Sequence, residues 1–80
     1  MPYIIPERRT KVLLEGADTV GELNFEITNV IWTYTQRMGL DYRTINDVLG
    51  ALEGAKLEYY RRVATVYETK KIAENGDVYE

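Results

Sequence analysis

The residues that could do chemistry in this chain are its carboxylates. There is no histidine and no cysteine among the 80 residues. That removes the commonest general base, the commonest transition-metal ligand and all thiol chemistry. Glu22 and Glu26 stand one helical turn apart, and Asp47, Glu53 and Glu58 follow further along. Such carboxylates could hold a divalent cation with oxygen ligands, as sites that act on phosphates do.

The spacing argues against that use. All-helical nucleotide pyrophosphohydrolases hold Mg²⁺ with glutamates on facing helices, as an ExxE pair and an ExxD pair. Here ExxD occurs at Glu74 to Asp77, across Gly76, and Glu22 to Glu26 is ExxxE. The alternative is surface charge in i,i+3 and i,i+4 pairs, such as Glu58 with Arg61 or Arg62 and Lys70 with Glu74. No catalytic, cofactor-binding or metal-ligating residue is therefore assigned.

Arg61, Arg62, Lys70 and Lys71 could contact phosphates, with Tyr59, Tyr60 and Tyr67 among them to stack on bases. A formal net charge of −3 argues against nucleic acid, because phosphate binding needs a net basic face. Tyrosine and arginine are also the residues enriched where proteins bind proteins. The blander reading is amphipathic tyrosines with their hydroxyls in water, beside solvated arginines.

The elements that position these residues are helical. Apolar or small residues recur as Ile45, Val48, Leu49, Leu52, Ala55, Tyr59, Val63 and Val66, a stripe with helical period. Thr44 with Asp47 reads as the cap of this helix and Gly76 as its end. Thr19-Val20-Gly21-Glu22 is a capping box that opens another helix, closed by Gly39. Phe25, Ile27, Thr28, Val30, Ile31, Trp32, Thr33, Tyr34 and Thr35 would also suit a strand. A strand of that length would be unusual and would lack a partner in this chain. Pro6 suits the first position of a short helix that Gly16 ends. The sequence thus predicts an all-α fold of three helices near 6–15, 19–38 and 44–75. It is one helical domain, 1–80, with an extended arm at 1–5 and a tail at 76–80. The tail could fold Val78 back on the helix or lay Tyr79 on a neighbouring chain. The short Gly39–Arg43 connection predicts that the second and third helices are antiparallel neighbours.

The long helix has an apolar surplus. Thirty-one residues span about 46 Å at 1.5 Å per residue, while a compact 80-residue body is roughly 30 Å across. From Leu57 a second apolar line begins: Leu57, Tyr60, Ala64 and Tyr67. A helix with two apolar faces has two neighbours. Either the helix breaks near Thr65 or Thr69, or its far half packs on another copy. Gly50 and Gly54, each costing about 1 kcal/mol against alanine in a helix, suggest a close approach by another helix of this chain or of a partner. The expected interface is Gly50, Gly54, Leu57, Tyr60, Val63, Ala64 and Tyr67, in a homo-oligomer, with a dimer favoured. No apolar run reaches membrane-spanning length, and the cysteine-free composition fits the cytoplasm.

Met1-Pro2-Tyr3-Ile4, Gly21 to Phe25 with Ile27-Thr28, Ile45 to Leu57 (INDVLGALEGAKL), Glu58 to Arg62, Tyr67-Glu68 and above all Lys70 to Tyr79 (KKIAENGDVY) carry a resemblance. The chain resembles a family of short uncharacterised prokaryotic and phage proteins of about this length. That family carries no assigned activity, so the resemblance transfers no site residue. It implies a complete small protein. The function expected is that of a non-catalytic, self-associating interaction or adaptor protein. The rivals are a Mg²⁺-dependent nucleotide hydrolase with carboxylates from two chains and, more weakly, a nucleic-acid-binding regulator.

Overall fold

A computed structural model describes residues 1–79; Glu80, the last residue of the expected tail, lies outside them. The described residues are 80% helical and contain no strand. Helix α1 is Pro6–Glu15, α2 is Val20–Met38, and α3 is Tyr42–Tyr59. A π turn at Tyr60–Ala64 joins α3 to α4, Thr65–Asn75, so the C-terminal helical run is 34 residues long. The chain divides into two compact units, Met1–Ile45 and Asn46 onward.

The first unit is built by α1 packing on α2. Pro6 stands at the head of α1, where its missing N–H is no loss. Gly16 closes that helix at φ +98°, its N–H donating to the Val12 carbonyl. Val12 is fully buried and is the one hydrophobic side chain that is, among the described residues. The neighbouring Leu13 and Leu14 remain exposed. Thr19 caps α2 as expected, its Oγ1 accepting from the Glu22 N–H at 3.1 Å. The residues that also suit a strand are helical throughout α2. Near its end the Thr35 hydroxyl donates back to the Ile31 carbonyl at 2.8 Å, one turn earlier. The arm lies against the start of α2. A Cβ added to Gly21 would stand 3.3 Å from the Met1 carbonyl oxygen, so the missing side chain is what lets the arm approach. Arg9 fastens the arm's other end, its Nε donating to the Ile4 carbonyl at 3.0 Å.

The C-terminal helix starts two residues before Thr44. Asp41 is the cap: its Oδ1 accepts from the Thr44 N–H at 2.8 Å, and its carbonyl accepts from the Ile45 N–H at 3.0 Å. Hydrogen bonding from Thr44, its backbone N–H first and its side chain second, holds the Asp41 carboxyl below the usual aspartate range. Thr44 and Asp41 are both capping types, and aspartate is the stronger of the two. Thr44 is instead buried in the first turn.

The second unit is essentially one helix with its tail. Tyr59, Ala64 and Thr65 all keep helical dihedrals, so the run does not break at Thr65. The irregularity is the π turn, in which the Thr65 N–H donates to the Tyr60 carbonyl. Gly76 ends the helix at φ +89°, its N–H donating to the Ile72 carbonyl. Val78 does not fold back; it is almost fully exposed, and Asp77 Oδ1 instead accepts from the Tyr79 N–H at 2.8 Å.

Candidate interaction surface

The carboxylates that looked most chemical are structural. Glu22 is buried and forms a two-pronged pair with Arg8: Arg8 Nε to Oε2 at 2.9 Å and Nη2 to Oε1 at 3.0 Å. Its Oε1 also accepts from the Asp18 N–H at 2.9 Å. The hydrogen bonds from Arg8, then that from Asp18, hold the Glu22 carboxyl below the usual glutamate range. Glu26 accepts from the Ala17 N–H at 2.9 Å. Both glutamates therefore satisfy the backbone of the turn between α1 and α2, and Glu22 also ties that turn to α1. Of the capping box the Thr19 half forms, while the Glu22 carboxylate accepts from the Asp18 N–H, one residue before the cap, rather than from the Thr19 N–H. The Arg8 contact, fourteen residues back along the chain, has no local sequence signal.

Further along, Glu58 pairs with both Arg61 and Arg62, as the helical spacing predicts. Glu74 pairs with Lys71 at 3.4 Å rather than with Lys70. Among the described residues no three acidic side chains gather as they would around a metal ion.

The remaining feature is an uncovered face. In the second unit none of the described residues is fully buried; Val48, Leu52 and Ala64 are half-buried and the rest are exposed. Leu57 is 57% exposed, Tyr60 56%, Val63 48% and Tyr67 60%. Tyr59, Val66 and Ile72 are exposed as well. The π turn sits in the middle of this stretch, and Tyr60 and Ala64 are its two ends. The Glu68 carboxylate beside Tyr60 pushes the phenol pKa up. Lys71 lies over the Tyr67 ring at 5.5 Å from its centroid. Gly50 and Gly54 are exposed, and within this unit a Cβ on either would meet nothing within 4 Å. The close approach expected of them has no counterpart there.

An all-helical protein of two units, one of them a long helix with its apolar face bare, is the class that this geometry defines. Over residues 1–78 the chain matches the model of a family described as Domain of unknown function (DUF6899), and it belongs to that family. No curated protein and no solved structure matches it. No helix among the described residues is long and apolar enough to cross a membrane.

Proposed function

We propose that the protein is a small, non-catalytic interaction or adaptor protein that self-associates through its C-terminal helix. The observation that supports this is the bare face of Leu57, Tyr60, Val63 and Tyr67, with Ala64 half-buried among them, on a helix without a second element in its unit. Helices in water draw most of their stability from packing an apolar face, and monomers avoid leaving such faces open. A second copy supplies the missing layer, and a two-fold dimer is the commonest closed form. The family match over 1–78 spans both units, which supports one functional domain. The absence of cysteine supports a cytoplasmic setting, and the KKIAENGDVY segment supports a prokaryotic or phage source.

Sedimentation equilibrium at micromolar concentration tests the proposal. A dimer is expected, and Tyr60→Glu or Val63→Glu should dissociate it. A clean 9.3 kDa species for the unaltered chain overturns it. The rival Mg²⁺-dependent hydrolase, with carboxylates from two chains, predicts a melting midpoint raised by Mg²⁺ with a nucleotide, since a ligand of the folded state must stabilise it. The nucleic-acid reading predicts the same shift with oligonucleotides.

A further inference from the structure

We propose that two copies pair antiparallel along this helix, with the two-fold axis passing at Arg62, the middle residue of the π turn; this rests on the self-association proposed above. Six residues carry the inference: Glu53, Leu57, Tyr60, Ala64, Tyr67 and Lys71. They follow one another at steps of four, three, four, three and four: Glu53, Leu57 and Tyr60 share one face of the α-helix before the π turn, Ala64, Tyr67 and Lys71 share one face of the α-helix after it, and the five-residue turn between them is itself centred on Arg62. That series reads the same from either end, and its centre is Arg62.

Turning a second helix end for end about Arg62 brings Glu53 level with Lys71 of the second copy. Leu57 comes level with Tyr67, and Tyr60 with Ala64. Each pairing is complementary: opposite charges, two apolar bodies, and a large ring against a methyl group. One row further out, Lys56 comes level with Glu68, and Leu52 with Ile72. The parallel arrangement sets every residue against itself. Glu53 then faces Glu53 and Lys71 faces Lys71, which repel. Tyr60 meets Tyr60, and Ala64 against Ala64 leaves a gap.

The fold already prepares this face. Glu53 lies 3.8 Å from Lys56, and Lys71 lies 3.4 Å from Glu74, so both charged ends are held along the helix surface. The aromatic centre between them, flanked by charge, is the composition of an interface core with a polar rim. Tyr60 and Tyr67, at 56% and 60% exposure, offer on the order of 100–150 Å² each. With Leu57 and Val63 this reaches roughly 400–500 Å² per chain, the low end for a specific contact, so the dimer should be concentration-dependent.

The chain has no cysteine, which makes a disulfide test clean. Glu53→Cys and Lys71→Cys are prepared separately and mixed in equal amounts in a glutathione redox buffer. The expected product is the mixed 53–71 disulfide, with little of either homodisulfide. In the antiparallel pair two copies of the same variant hold their thiols about 27 Å apart, far beyond disulfide reach. Charge reversal adds a second readout. Glu53→Lys or Lys71→Glu alone should weaken association roughly three- to twentyfold, since each dimer holds the pair twice, and the double variant should restore it. Homodisulfides equal to or exceeding the mixed product, or a double variant no better than the singles, overturn the register. A wild-type chain that stays monomeric in the ultracentrifuge overturns the self-association beneath it, a different and separable failure.

Discussion

Gly50→Ala and Gly54→Ala should each stabilise the protein. Both glycines lie inside α3, and within their unit a Cβ on either would meet nothing within 4 Å. The substitution then removes only the backbone-entropy penalty of glycine, about 1 kcal/mol per site in a helix interior. The two sites are one turn apart and exposed, so the double variant should gain about 1.5–2 kcal/mol. At about 4–8 °C per kcal/mol for a domain of this size, Tm rises by roughly 6–16 °C. Thermal melting by far-ultraviolet circular dichroism measures this, at one fixed protein concentration, because association shifts the midpoint. Gly21→Ala is the control. It lies in a helix too, but its Cβ would press the Met1 carbonyl at 3.3 Å, so its gain should be smaller or reversed. The reasoning is refuted if alanine at Gly50 and Gly54 lowers Tm, or if both variants lose association in the ultracentrifuge. Either result would place another helix against these glycines.

Val12→Ala removes two methyl-sized groups from the fully buried side chain between α1 and α2 and should cost roughly 2–3 kcal/mol with the cavity included, read as a lowered denaturation midpoint. Acid should loosen the α1–α2 pair. The Glu22 carboxyl is held below the usual glutamate value of 4.5, so the stability it contributes is fully present above that value and is lost as pH falls through its lowered folded pKa. Glu22→Gln should flatten that part of an acid titration followed by circular dichroism, and an unchanged titration would remove the Arg8–Glu22 pair from the account.

Helix existence and ends were legible in the sequence because they depend on short-range chemistry. Pro6 opens α1, Thr19 caps α2, and Gly16, Gly39 and Gly76 supply the positive φ at which each helix stops. Tertiary placement decided the rest. Glu22 and Glu26, which by type and spacing could be ligands, are consumed by the turn before α2, because the fold brings Arg8 to Glu22 from another helix. Gly21 looks like a helix former's weak point until the arm is seen lying on it. Asp41, the stronger capping type, takes the cap from Thr44 by accepting the Thr44 N–H. The apolar surplus of the long helix was readable from Leu57, Tyr60, Ala64 and Tyr67 as a pattern. That its own unit leaves this pattern bare followed only from the structure, since a sequence period says which residues share a face and not what stands opposite it.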